Sequence, residues 1–400
     1  MRRDLLLFIA LAFALALPKS VLPQSLTPSL KSNSPRVNLK ALMNKAHSGN
    51  PEAQFQLGVV YQSGIGVEKS EFEAMRWYSL AANNGHTEAQ NNLAYLYETG
   101  PDGLKDMAEA VKWYKRGAVY GSAMAQYNMG RLYLLGRGVQ QSEDEGLRWM
   151  EKSAEAACPN ALAALAAMYA SGQGVPRDAS RALKLTKKGI TQHSAEAEAI
   201  LGLFYVTGSG VSSNLPEGAK WLKKAAQGGS PTGLYVLGLL YETGDGVEKN
   251  TAEAMNLFRR AAEQGSTQAQ GALGQIFEVG QGVPVDCKEA VGWYRRAADQ
   301  GDVESATRLG RLLLLGQGVG KNREEAVRLW TWAAEKGNAY AQFNLAELYA
   351  SGAGVNRDLR KAYSLFSLAA KVLDVREQLR QISSQLDYED ALAPQRVSER

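Results

Sequence analysis

The sequence predicts an all-α fold, a solenoid of nine 36-residue helix-turn-helix repeats closed at each end by a helical cap. Three observations carry this. A 36-residue unit recurs without change of period at 49, 85, 121, 157, 193, 229, 265, 301 and 337, filling 49–372. Each unit contains two segments whose apolar residues recur at helical spacing. Between them lies a glycine-rich turn that ends on a helix-capping residue in all nine units.

Taken in order, residues 1–17 open Met-Arg-Arg-Asp and continue LLLFIALAFALAL. A basic start before a 13-residue apolar run is the pattern of a secretory signal peptide and is short for a membrane span. The alternative is an uncleaved signal that anchors the chain to a membrane. Residues 18–36 place Pro18, Pro23, Pro28 and Pro35 among serines, a disordered tether with nothing to bury. Residues 37–48 match the second helix of a repeat, with Leu42 and Ala46 in its apolar columns. They read as a half-repeat cap, since an array must cover its terminal apolar face.

The unit Gly265–Gln300, GSTQAQGALGQIFEVGQGVPVDCKEAVGWYRRAADQ, serves as the template for the rest. Its first helix sets Ala269, Leu273, Ile276 and Phe277 on one face. Gly274 lies inside that helix at a cost of about 1 kcal/mol relative to alanine. It recurs as Gly58, Gly130, Gly202, Gly238 and Gly310, with Ala94, Ala166 and Ala346 elsewhere, so a close approach of the partner helix is expected in return. The turn reads Gly-x-Gly-Val from Gly64/Gly66 to Gly352/Gly354, its first glycine expected in the left-handed conformation that stops a helix. Only the second unit departs, with Gly100-Pro-Asp-Gly103-Leu104.

The second helix begins after Ser70, Asp106, Ser142, Asp178, Asn214, Asn250, Asp286, Asn322 or Asp358, all good N-caps. A capping-box glutamate follows three residues on, except at Arg181 and Lys361. Then comes Ala-x-x-Trp-Tyr-x-x-Ala-Ala, as in Ala290, Trp293, Tyr294, Ala297 and Ala298. The column Tyr61, Tyr97, Tyr133, Tyr169, Tyr205, Tyr241, Phe277 and Tyr349 is expected to bury about 150–250 Å² per ring.

The Ala-x-x-x-Leu-Gly-x-x-Tyr of the first helix, the Gly-x-Gly-Val turn and the Ala-x-x-Trp-Tyr-x-x-Ala-Ala of the second resemble the Sel-one-like repeat, a relative of the tetratricopeptide repeat with a longer turn. The resemblance covers 49–372. It implies a right-handed α/α superhelix whose first helices line the concave side, and an adaptor role in protein complexes. Bacterial members are expected in envelope, exopolysaccharide, motility and host-contact systems. Cysteine-rich members staple each unit with a cysteine pair, and some are credited with penicillin binding; this chain lacks those pairs.

The middle of the array is less regular. Ala157 and His193 stand where other units have glycine, and the Trp-Tyr pair of the fourth unit becomes Leu185-Thr186. Either the helices run on there and alter the stacking, or the changes are harmless. Beyond the repeats, Val375, Leu379, Ile382 and Leu386 give one amphipathic capping helix over 373–386. Residues 387–400 have little to bury and read as a disordered tail.

Catalytic chemistry is not expected. The chain is 45% apolar and 22% charged with net charge +4, which gives no reason to expect nucleic acid. Cys158 and Cys287 lie more than three units apart, too far to pair in an array where only neighbours touch. Cys287 follows Asp286 at a helix start, where thiolate is favoured, so a reactive thiol is the functional alternative there. His47, His86 and His193 sit in different units and form neither a metal spacing nor a triad. The Gly-x-Gly turns lack the strand and the Lys-Ser/Thr of a phosphate loop. No cofactor and no metal are expected, and the missing Asn-x-Ser/Thr sequon favours a bacterial envelope protein.

The leading expectation is an exported, secreted or periplasmic scaffold that binds a protein or peptide partner through the groove of first helices. The rivals are an envelope hydrolase or β-lactam-binding protein and a glycan-binding envelope protein. Opposite the packing columns runs a stripe through Gln268, Gly271, Gln275 and Glu278. In other units it carries Phe55, Tyr127, Tyr235 and Phe343, with Val59, Arg131, Leu239, Arg311 and Glu347 one turn on. Phe55, Tyr127, Arg131, Tyr235, Arg311 and Phe343 are therefore the candidate partner-binding residues. An arginine beside an exposed aromatic would offer a bidentate donor next to a rigid apolar surface. The alternative is that these aromatics pack between units.

Overall fold

The structure, a computed structural model, describes residues 38–101 and 103–397, with side chains as far as Leu386. The expected signal and tether lie outside the described residues. The chain divides into two compact units, 1–249 and 250–400. Among the described residues there are twenty α-helices and no strand.

Unit 1 holds α1 (Leu39–His47), α2 (Pro51–Ser63), α3 (Glu71–Asn83), α4 (Thr87–Thr99), α5 (Met107–Val119) and α6 (Ala123–Leu135), then α7 (Glu143–Glu155), α8 (Pro159–Ser171), α9 (Ala179–Thr191), α10 (Ala195–Thr207), α11 (Leu215–Gln227) and α12 (Pro231–Thr243). Unit 2 holds α13 (Thr251–Glu263), α14 (Thr267–Val279), α15 (Cys287–Asp299) and α16 (Val303–Leu315), then α17 (Arg323–Glu335), α18 (Ala339–Ser351), α19 (Leu359–Ala369) and α20 (Arg376–Val397). Even-numbered helices from α2 to α18 are the first helices of repeats and odd-numbered ones from α3 to α19 the second. Within each unit consecutive helices pack as antiparallel neighbours, the arrangement of an α/α solenoid. No described helix is long and apolar enough to cross a membrane.

Each second helix starts where its cap dictates. All nine predicted N-cap side chains accept a backbone N–H from the first turn. The turn before the cap is closed by its own backbone. The N–H of Ser70 donates to the Tyr61 carbonyl at 3.0 Å, and Asp106, Ser142 and Asp178 reach Tyr97, Tyr133 and Tyr169 in the same way. The first turn glycine takes a left-handed φ, as in Gly64 at 69° and Gly280 at 79°. In the divergent second repeat Gly100 is extended instead, and Gly103 supplies the positive φ of 97°.

Repeats are stitched to one another by a glutamine. Gln54, Gln90 and Gln126 donate through Nε2 to the carbonyls of Ala46, Ala82 and Ala118, each at 3.1 Å. In unit 2 Gln270 and Gln342 do the same to Ala262 and Ala334. These carbonyls belong to the last turn of the preceding second helix, where the helix cannot satisfy them. The Gln54 bond makes α1 stand to α2 as a second helix does to the first helix after it, with Leu42 and Ala46 buried.

The expected close approach of the helix pair is present. A Cβ on Gly58 or Gly274 would stand 2.5 Å from Cδ1 of Tyr78 or Tyr294, and one on Gly310 would stand 2.5 Å from Nε1 of Trp330. Most of the rings that fill the core are on the second helices: Tyr78, Tyr114, Phe258, Tyr294, Trp330 and Phe366 are fully buried, joined by Tyr127 and Phe204 from first helices. Of the first-helix column expected to be buried, Tyr169 and Phe277 are buried and the other tyrosines are half-buried. Cations lie over some of these rings, as in Arg181 over Tyr169 and Lys361 over Tyr349, each 4.2 Å from the ring centre.

At the irregular fourth repeat the helices do not run on. α7 and α9 stop at Glu155 and Thr191, and Ala157 and His193 adopt φ of 59° and 57°. The local bonds that hold glycine elsewhere hold them here: Cys158 N–H donates to the Ser153 carbonyl and Ser194 N–H to that of Gly189. At the other end α20 continues to Val397, past the expected limit at 386, through a stretch that contains no glycine to stop it.

Two outcomes are expected. Ala157→Gly and His193→Gly relieve a left-handed side chain and raise stability by about 0.5–1 kcal/mol each in urea titrations. Gly274→Ala drives a methyl group into the Tyr294 ring and lowers it by about 1–3 kcal/mol, although alanine favours the helix.

Candidate protein-binding face

The candidate residues sit on the first helices, but not all on an open face. Phe55, Tyr127 and Tyr235 are buried, so the expectation of an exposed aromatic fails at these three. Phe55 stacks on the His86 ring of the next repeat at 4.4 Å between centres. Tyr127 is 2% exposed and packs in the cluster that includes Ala163 and Ala167 of α8. Phe343 is half-buried and meets Phe366 edge-on at 5.5 Å. At Phe55 and Tyr127 the neighbouring repeat lies close enough to cover this position before solvent does, whereas Phe343 meets the second helix of its own repeat.

The two arginines part company. In unit 1 Arg131 donates through Nη2 to Glu98 Oε1 and Oε2 at 2.6 and 2.5 Å. The Glu98 side chain is 2% exposed and that of Arg131 10%, so this pair is sealed. The Tyr114 hydroxyl also donates to Glu98 at 3.0 Å, and Arg137 stands 3.7 Å away. Burial alone would lower the Arg131 guanidinium; the Glu98 carboxylate more than offsets it and holds it above its usual range. Burial, then the Glu98 charge, pushes the Tyr114 hydroxyl well above 10.

Unit 2 repeats the motif in the open. Arg311 is hydrogen-bonded to Glu278 through Nη2, and Arg308 lies 3.6 Å from the same carboxylate. The Tyr294 hydroxyl donates to Glu278 at 2.6 Å and is pushed up to about 12 by burial, against the opposing Arg308 charge. Glu278 is 6% exposed, but the Arg311 side chain is 49% exposed. Of the two arginines, Arg311 alone offers its guanidinium to a ligand. Along the same stripe Gln275, Glu304, Tyr340 and Glu347 are exposed on α14, α16 and α18, with Tyr340 at 58%.

Glu98, and the anchoring role of Glu278 on its stripe, were missed by reading helices singly. A signal for them exists between columns. Tyrosine occurs at 78, 114 and 294, and in each case the residue sixteen positions earlier is Gln62, Glu98 or Glu278. Tyr78 likewise donates to Gln62, at 2.7 Å. Met150, Thr186 and Leu222 follow Leu134, Ala170 and Val206 instead. The arginines stand 33 residues after the two glutamates, in the next first helix.

His86 has a structural setting. His86 caps α4: its Nδ1 accepts the Ala89 N–H at 3.2 Å, which leaves Nε2–H to donate to Glu52 at 3.0 Å. That bond is the main reason the Glu52 carboxyl lies below its usual range. Cys158 and Cys287 are both free. No group of three or more potential metal ligands comes together among the described residues.

The two arginines are expected to differ on truncation. Arg131→Ala strands a buried carboxylate and costs about 3–5 kcal/mol in urea unfolding. Arg311→Ala removes a half-exposed partner and costs about 1 kcal/mol or less.

The Sel1 repeat family matches nine segments of the chain, at 51–86, 87–118, 123–158, 159–194, 195–230, 231–266, 267–302, 303–338 and 339–371. Among solved structures the chain is similar to a Sel1 repeat protein from Oxalobacter formigenes, with 31% identity over 84% of this chain and 98% of that one and a TM-score of 0.47. It is also similar to a protective antigen of uropathogenic Escherichia coli strains displaying an SLR fold, with 33% identity over 84% and 79% of the two chains and a TM-score of 0.45. No curated protein matches the chain. With nine matched segments filling most of 51–371, the chain belongs to the Sel1 repeat family.

Proposed function

We propose that the chain is an exported, non-catalytic scaffold that holds a protein partner on the first-helix face of unit 2. One observation carries the site. Arg311 presents half its side chain to solvent while the buried Glu278 anchors one nitrogen. A guanidinium has five N–H donors, so the anchored group keeps donors for a carboxylate or a backbone carbonyl of the partner. Pre-orientation by Glu278 lowers the entropy lost when it binds. Tyr340 on the adjacent first helix adds a large exposed ring on the same stripe. Sel1 repeats generally serve protein interaction, which agrees with this use of the face. Export rests on the basic start and apolar run of residues 1–17.

The test places a photo-crosslinking residue at Gln275 of the full chain in the source cells. A discrete protein adduct is expected, lost in Arg311→Ala while the melting temperature holds. Absence of an adduct, or one indifferent to Arg311→Ala, overturns the site. The same cells report on export: a non-cytoplasmic chain lacking Met1 agrees with it, and an intact cytosolic chain refutes it.

A further inference from the structure

Charge is not spread evenly over the second helices. α9 carries Arg181, Lys184, Lys187 and Lys188 and no acidic residue; α11 carries Lys220, Lys223 and Lys224 against the single Glu217. α17 mixes its charges, Arg323 and Arg328 with Glu324, Glu325 and Glu335, whereas α5 shares the balance of α11, with Lys112, Lys115 and Arg116 against Glu109. α9 and α11 stand out as successive second helices in which seven cations meet one acid. Lysines placed for helix stability are expected three or four residues from an acid of the same helix, and α9 has none. Favourable placement at a helix C-terminus accounts for Lys188 and Lys224, in the last turns, but not for the others.

Some of these charges are partly answered. Arg181 meets Glu151 at 2.9 Å, Lys224 meets Glu198 at 2.8 Å and Lys220 meets Glu217 at 3.4 Å, all with well-exposed cations. Lys223 lies 5.6 Å from the Tyr241 ring centre, a contact that leaves its charge uncancelled. Lys184 and Lys187 are exposed and have neither a hydrogen bond nor an ion pair. Beside α11, Lys220, Lys223, Lys224 and Gln227 line a cleft of about 440 Å³ against Gly246 and Val247.

We propose that the outer face of α9 and α11 is a second docking surface, for an acidic polypeptide segment. The chemistry favours that ligand over other anions. A cleft admits a carboxylate side chain, whereas a bilayer surface cannot enter it. Among the described residues neither helix exposes a large apolar side chain that could insert into lipid or stack on a base. Apart from Arg181 the cations are lysines, flexible point charges that suit single carboxylates strung along a chain. The proposal rests on the scaffold reading only in taking the ligand to be a protein, and it uses a face in a different unit.

The test is fluorescence anisotropy of a fluorescein-labelled oligoglutamate peptide with the full chain. Binding is expected to weaken steeply as salt is raised. The variant Lys184→Glu, Lys187→Glu, Lys223→Glu is expected to weaken it at least tenfold, and Lys→Gln at the same three sites to weaken it less, both with unchanged helicity and melting. A control with Lys321→Glu, Arg328→Glu and Lys336→Glu is expected to retain binding. Wild-type affinity in the first variant, or equal loss in the control, overturns the proposal. So does lysine-dependent binding of phosphatidylglycerol vesicles or a DNA oligonucleotide in place of the peptide. Failure here leaves the crosslink at Gln275 standing as a separate result.

Discussion

The contact on which the rest depends is that between a first-helix glycine and the large side chain of its partner helix. Tyr294 lies where a Cβ on Gly274 would have to be, and Trp330 does the same over Gly310. That approach lets one ring, buried on all sides, serve both helices of a repeat, and it sets the distance at which they cross. Glycine is intrinsically poor inside a helix. The stability lost there is returned by ring burial, which couples the two positions, although the second repeat buries Tyr114 with Ala94 in place of the glycine.

The same coupling explains the carboxylates. A tyrosine ring driven that deep carries a hydroxyl that must find an acceptor. Glu98 and Glu278 provide it, but a buried carboxylate then needs a cation of its own. The neighbouring repeat supplies Arg131 or Arg311. Where the acceptor is a glutamate, the choice of tyrosine over leucine thus recruits two further residues, one of them in the next repeat; at Tyr78 the neutral Gln62 suffices. Where the choice is Leu222, the acceptor position is Val206 and the chain of requirements never begins.

Much of the fold was legible because a strict 36-residue period averages out the ambiguity of any one segment. The capping column is the clearest case: each side chain named from sequence closes the helix it precedes. The candidate site was less legible. Tyr127 and Arg131 looked exposed because they lie opposite the packing face of their own helix, yet their partners come from adjacent first helices. Exposure in an array is decided across repeats, and a reading of one helix at a time cannot see it. Arg311 differs from Arg131 in exposure although both make the same ion pair, and no residue at either position announces that difference. Ala157 and His193 show the converse. Their sequence left open a failed helix stop or a harmless change, and the flanking backbone bonds keep the stop and accept the strain.

The turn between the helices of a repeat is pinned at its two ends rather than along its length. In the second repeat the interior is rewritten as Gly100-Pro-Asp-Gly103-Leu104, with a different glycine conformation. Asp106 N–H nevertheless reaches the Tyr97 carbonyl at 2.9 Å, across the span that Ser70 covers to Tyr61. The segment is therefore a replaceable cassette. New chemistry can be spliced into it, one repeat at a time, while the helices on either side keep their register.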